Sequence, residues 1–174
     1  MIERFEVDKK TKLKDGKFER LNADGSKFEV SNYEQDVLQG ERTLYFESGT
    51  AEIVEQYKDG VLDGPYITNY EEGSVKLEGQ YEEGVMTGIW KQYYESGQVM
   101  EEVTFRDNME NGPFVEYHPN GNLKAEGQYQ DGDKEQGLLK LYDENGELYK
   151  RMECDNGICR TVWSREDQNE ESND

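Results

Sequence analysis

No stretch of this sequence is apolar for the roughly 18 residues that a membrane-crossing helix requires. The opening MIERFEVDKK also lacks the apolar core of a secretory leader, so any leader is expected to precede Met1. Positive charge is scarce: twenty Lys and Arg face forty Asp and Glu, a net charge of -20. That balance repels phosphate backbones and anionic headgroups, and argues against nucleic acid and against direct anionic-membrane binding. Histidine occurs once, at His118. No P-loop, GxSxG, HExxH or dinucleotide fingerprint is present, and no acid, base and nucleophile converge. The expectation is a protein that is not an enzyme and carries no cofactor or metal.

Apolar residues are sparse too, at 33% of the 174, with 34% charged, and the mean hydropathy is -1.10. A thick globular core is therefore not expected. Yet only three prolines accompany eighteen glycines and twelve tyrosines, and that many rings are foreign to disordered chains. An ordered, thin, turn-rich fold follows.

The glycines are periodic. They stand at 16, 40, 64, 88 and 112, a step of 24 residues, and at 137 after one inserted residue. A second series, nine residues behind, is Gly25, Gly49, Gly73, Gly97, Gly121 and Gly146. A third reads Asp36, Gly60, Gly84, Asn108, Gly132 and Gly157, all types that tolerate positive φ. Each unit holds two short strands and two tight turns. The dipeptides Asn120-Gly121, Asn145-Gly146, Asp59-Gly60, Asp131-Gly132 and Asn156-Gly157 predict two-residue type I′ hairpins. The extra residue in QDGDKEQG predicts a bulge or a lengthened turn.

Pairing about these turns sets Tyr66 opposite Gly79, Phe114 opposite Gly127, Trp90 opposite Val103 and Arg42 opposite Glu55. Rings over strand glycines and an opposite-charge pair are the complementarity a sheet favours. One face then collects Trp90, Tyr94, Val99, Val103 and Phe105, and in the preceding unit Tyr66, Tyr70, Val75, Leu77 and Tyr81. The other carries a tyrosine row, Tyr45, Tyr93, Tyr117 and Tyr142, among glutamates and glutamines. These four are the candidate binding residues, because a ring offers a flat apolar face with a polar tip. Tyrosine is also simply a good strand residue. His118 takes the place of Tyr70 and Tyr94 in other units, and reads as a strand-end substitute for an aromatic ring. Asp131, Asp133 and Glu135 alternate as a calcium loop begins, without the acidic final ligand such a loop needs.

The fold class expected is all-β: an elongated single-layer antiparallel β-meander built from tandem 24-residue hairpin repeats. Residues 1–15 form an N-terminal capping strand, 16–163 six tandem repeats, and 164–174 a disordered acidic tail. The recurring YKDGVLDGPYITNYEEGSVKLEGQY and FRDNMENGPFVEYHPNGNLKAEGQY resemble the variant MORN repeat, and the tandem arrangement resembles the bacterial YwqK-type antitoxin family. That resemblance covers residues 14 to 153 and implies an elongated single-layer meander with no catalytic residues to carry over.

The only cysteines lie in CDNGIC, Cys154 to Cys159. In the repeat register they face each other one step beyond the residues flanking the Asn156-Gly157 turn, a non-hydrogen-bonded position where side chains are close. A Cys154–Cys159 disulfide is expected there, and zinc is not, for want of two further ligands. A disulfide implies an oxidising compartment. The function expected is a non-enzymatic protein-interaction or scaffold module of a bacterial envelope protein complex, meeting another protein through basic patches, with its leader absent from this chain. A cytoplasmic antitoxin-like protein neutralising a partner toxin and a glycan-binding module using the tyrosine row are the alternatives.

Overall fold

The structure, a computed structural model, describes residues 1–166. Most of the tail expected at 164–174 therefore lies outside the described residues, while Ser164 itself closes the last strand. The chain divides into two compact units, Met1–Met86 and Thr87–Asp174.

The first unit contains β1 (Ile2–Val7), β2 (Lys14–Leu21), β3 (Lys27–Glu34), β4 (Val37–Leu38), β5 (Gly40–Tyr45), β6 (Ala51–Lys58), β7 (Val61–Asn69) and β8 (Val75–Glu82). Each long strand pairs antiparallel with its neighbours in sequence, and β4 pairs back on β3. The second unit continues from β9 (Val85–Tyr93), which begins two residues before the division, through β10 (Val99–Arg106), β11 (Met109–Tyr117), β12 (Leu123–Tyr129), β13 (Gly137–Tyr142), β14 (Leu148–Asp155) and β15 (Ile158–Ser164). These too pair antiparallel in chain order. Each unit is thus a β-meander, as the glycine spacing predicts.

The expected register holds: Tyr66 lies opposite Gly79, Phe114 opposite Gly127, Trp90 opposite Val103 and Arg42 opposite Glu55. The side chains sealed from solvent come mostly from the face that these residues define. They are Phe18, Glu29, Ser31 and Glu55 in the first unit, and Trp90, Val103, Phe114, Ala125 and Cys154 in the second; Leu21 and Thr43 are the exceptions. In the second unit Val103, Phe114 and Ala125 form a buried cluster against Phe105, Tyr129, Leu139 and Leu141. The ring of Phe114 covers Gly127 so closely that a Cβ there would stand 2.8 Å from its Cε1.

The turns require a correction. Asp59-Gly60, Asp131-Gly132 and Asn156-Gly157 have both residues at positive φ, as type I′ geometry needs. At Asn120-Gly121 and Asn145-Gly146 only the glycine does. There the loop has three residues, a type I turn closed by a left-handed glycine. Gly121 N–H donates to His118 O and His118 N–H to Asn122 O, both at 2.8 Å. Pro119 suits this geometry at the first site, since its fixed negative φ fits the first corner of a type I turn and forbids type I′; Asp143 to Glu147 makes the same turn without a proline.

The register survives because each such turn is followed by one bulged residue. Thr68 pairs with Leu77 but Asn69 with Val75, leaving Lys76 over; Glu116 pairs with Ala125 but Tyr117 with Leu123, leaving Lys124 over. One extra turn residue and one bulge together restore the pairing of a two-residue turn. The bulge also changes two face assignments. Val75, expected beside Tyr70, pairs instead with Asn69, and Val99, expected beside Tyr94, with Tyr93 of the tyrosine row. Asp131-Gly132 is nonetheless not the two-residue turn expected: the inserted residue extends the loop to Asp133, with Gln130 N–H donating to Lys134 O at 2.9 Å.

The leading glycines mark a second bulge. Between Glu55–Tyr66 and Tyr57–Leu62 the ladder sets Gln56 against three residues, Asp63, Gly64 and Pro65. Gly64 has φ 137°, and a Cβ on it would stand 2.6 Å from the Cβ of Gln56. No other residue fits that backbone.

Candidate interaction surface

Successive repeats are tied by the same bonds at both ends of their strands. At the type I′ end, the turn N–H donates to a carbonyl about one repeat earlier: Gly60 to Leu38 at 3.0 Å, Gly84 to Leu62 at 2.7 Å and Gly157 to Glu135 at 3.1 Å. Side chains reinforce this, Asp59 N–H donating to Gln39 Oε1 at 2.7 Å and Asn156 N–H to Gln136 Oε1 at 3.0 Å. At the type I end, the Tyr94 hydroxyl donates to the Tyr117 carbonyl at 2.8 Å. His118 occupies the equivalent place, its Nε2 donating to the Tyr142 carbonyl at 3.0 Å. A carbonyl only accepts, so this contact puts the proton on Nε2. The sole imidazole therefore does the work of a tyrosine hydroxyl, consistent with the reading of His118 as an aromatic substitute.

The next repeat has Asp143 at that position, and Arg165 answers it. Its Nη1 lies 2.9 Å from Asp143 Oδ2 and 3.3 Å from Glu147 Oε2, while Nη2 donates to the Leu148 carbonyl at 2.8 Å. The carboxyl of Asp143 is held below its usual range, first by the Glu147 backbone N–H and then by Arg165.

The tyrosine row is half-buried at all four positions. The reason is the bulge, which backs each ring with a neighbour across the strand: Ala51 for Tyr45, Val99 for Tyr93, Leu123 for Tyr117 and Leu148 for Tyr142. Tyr45 lies under the ammonium of Lys27, 5.7 Å from its ring centre. The Tyr142 hydroxyl donates to Glu126 Oε1 at 2.7 Å, and Lys140 donates to the same oxygen at 2.8 Å. Lys140 and Tyr142 together hold the Glu126 carboxyl below its usual range. Burial and the Glu126 carboxylate push the Tyr142 phenol up to about 12. At Tyr142 the row thus presents a ring and not a free hydroxyl.

The opposite face differs between the units. In the first, charges alternate across the strands, Arg42 standing where later repeats carry Tyr66, Trp90 and Phe114. Arg20 lies 3.2 Å from Glu3 and 3.3 Å from Glu29, and Arg42 lies 2.8 Å from Glu29 and 3.2 Å from Glu55. The Tyr57 hydroxyl donates to Glu55 at 3.1 Å. Burial works against the charge on Arg42, but Glu29 and Glu55 outweigh it and hold the guanidinium firmly protonated. In the second unit like charges meet, Glu101 lying directly opposite Glu116. Burial raises the Glu101 carboxyl above its usual range, and repulsion from Glu116 and Glu110 adds to it. Lys124 relieves part of this, 2.6 Å from Glu116.

Cys154 and Cys159 are directly opposite in β14 and β15, with Cα atoms 4.0 Å apart, and are joined as a disulfide. The hairpin register places them there, one step beyond Asp155 and Ile158.

A further set of residues escaped the sequence reading. Val37, Val61, Met109 and Ile158 each follow a type I′ turn directly and are exposed at 42%, 45%, 47% and 71%. Their signal was available, since Val37, Val61, Val85, Met109 and Ile158 share one repeat position. It was obscured because apolar residues at a strand start ordinarily mean core.

Compared with known families, the chain matches the model described as MORN repeat variant over residues 62–83, 86–107, 110–131 and 135–156. Each match spans one hairpin, from the start of one strand to the turn after the next. A search of curated proteins gives no match.

Proposed function

The chain belongs to the MORN repeat variant family, and on that premise we propose that it is a non-enzymatic protein-interaction or scaffold module of a bacterial envelope complex. The observation that carries this reading is the use made of the polar side chains best suited to chemistry. His118 and Tyr94 bond the backbone of the next repeat, and Tyr142 is committed to Glu126. What remains is a repeated surface of half-buried rings and carboxylates, and repeat proteins offer such surfaces to partners. With a net charge of -20 the favoured partner presents basic patches, which speed encounter and fix orientation.

The Cys154–Cys159 disulfide supports an oxidising compartment, and so the envelope reading over a cytoplasmic antitoxin-like role. Two measurements test the proposal. Pull-down of the tagged protein from its native host, without crosslinking, should recover a protein partner that is released at high salt; equal recovery at low and high salt would argue against a charge-guided interface. Thiol titration of unreduced native protein should find no free thiol; two would remove the argument for an oxidising compartment.

A further inference from the structure

In the first unit, Val37 and Val61 are exposed beside charged residues. Val37 lies opposite Glu34 and Val61 opposite Lys58. Each valine also lies over the turn of the following repeat. Val37 Cγ1 is 3.4 Å from where a Cβ on Gly60 would stand, and Val61 Cγ1 is 3.1 Å from the equivalent point on Gly84. Val85, half-buried, holds the same position one repeat on. The turn bonds from Gly60 and Gly84 to Leu38 and Leu62 keep these residues in a row. Around them, residues 34–38, 58–63 and 82–86 carry Glu34, Asp36, Asp59, Asp63, Glu82 and Glu83 against one cation, Lys58. That lysine is itself 3.9 Å from Asp63.

Successive members of the row are two strands apart, about 9.6 Å by ordinary strand spacing. A helix repeats a side chain every seven residues at about 10.5 Å, close to that step. An extended strand repeats a face every two residues at about 6.8 Å, which does not match. We propose that this edge docks a basic amphipathic helix of a partner protein, with apolar residues at seven-residue intervals on the valines and flanking Lys and Arg against the carboxylates. The proposal rests on the interaction-module reading above, and adds to it the surface and the partner's chemistry.

The test uses the full chain and a labelled 21-residue helical peptide with Leu at two positions of each heptad and Lys at the others. Its binding is followed by fluorescence anisotropy, beside the same peptide with Glu for Lys. The Lys peptide should bind, the Glu peptide should not, and Val37→Ser with Val61→Ser should weaken binding about tenfold or more. Val162→Ser, at an exposed apolar residue of the second unit, should leave it unchanged. Equal binding by wild type and the valine double variant, equal loss in Val162→Ser, or no binding of the Lys peptide would each overturn the edge assignment. Should the double variant unfold, peptide-induced amide shifts in the wild type decide: they should cluster at 34–38, 58–63 and 82–86, and clustering elsewhere overturns the proposal. Pull-down of that salt-released partner by a folded double variant at wild-type yield would likewise overturn the edge while leaving the module reading standing.

Discussion

Ser31 is fully buried, and its hydroxyl has no hydrogen-bond partner among the described residues. A buried, unsatisfied hydroxyl costs about 1–3 kcal/mol. Ser31→Ala should therefore raise stability by about 1 kcal/mol in urea unfolding, and a loss would mean that the hydroxyl has found a partner. Arg42 makes the opposite case. Its removal strands Glu29 and Glu55, both nearly sealed from solvent. Breaking a buried pair usually costs 3–5 kcal/mol, but Arg20 still reaches Glu29 at 3.3 Å. Arg42→Ala should then destabilise by about 2 kcal/mol, and no change in urea midpoint would place the pair effectively in solvent. Glu101 gives a pH signature. Its raised carboxyl means that the folded state holds the proton more firmly than the unfolded chain, whose value lies near 4.5. The destabilisation is absent below that pH and appears as pH rises through the folded value. Glu101→Gln should thus melt higher than wild type at pH 7, with the gap closing toward pH 4.5; a gap that stayed constant with pH would refute this origin.

Among the elements, the two bulges decide what a substitution does. Gly64 and Gly88 hold the same repeat position and both have positive φ. A Cβ at Gly64 would meet Gln56 at 2.6 Å, whereas at Gly88 it would meet nothing within 4 Å. Gly88→Ala should cost the left-handed penalty alone, about 1–2 kcal/mol, and Gly64→Ala clearly more. Equal midpoints for the two would show that β6 simply moves aside. The closing hairpin offers a second contrast. The disulfide spans a sequence separation of 5, so loop closure contributes about 2 kcal/mol in the chain-entropy model. Reduction should speed amide exchange in β14 and β15 and leave β9 to β11 unaltered. Turn type was only half legible because Asn-Gly suits either turn. Pro119 was the local clue for one of the two misassigned sites; at Asn145-Gly146 the flanking residues gave no equivalent signal.

For the molecule as a whole, charge is the dominant property. With forty acidic and twenty basic residues the folded chain repels itself, and ion pairs such as Lys91–Glu102 and Lys140–Glu126 offset only part of this. Added salt screens the repulsion more than it weakens the buried pairs. The melting temperature should accordingly rise from low salt to about 0.15 M, where the Debye length is about 8 Å. A fall would mean that the exposed ion pairs matter more than net charge. The same charge governs recognition, since a partner able to approach must bring positive charge with it.

Periodicity alone determined the strands, their antiparallel order, the register and the cysteine pairing. A 24-residue repeat with glycine at fixed places leaves few ways to fold, and pairing far from a turn depends on the count of residues rather than on the kind of turn. Only the tertiary structure decided how the counting worked out locally, because a bulge is set by contacts across the strands. Those contacts set Val99 beneath Tyr93 and half-buried the tyrosine row. They also left Val37 and Val61 over the turns of the following repeats, in solvent, where a strand pattern read by itself would have assigned them to the core.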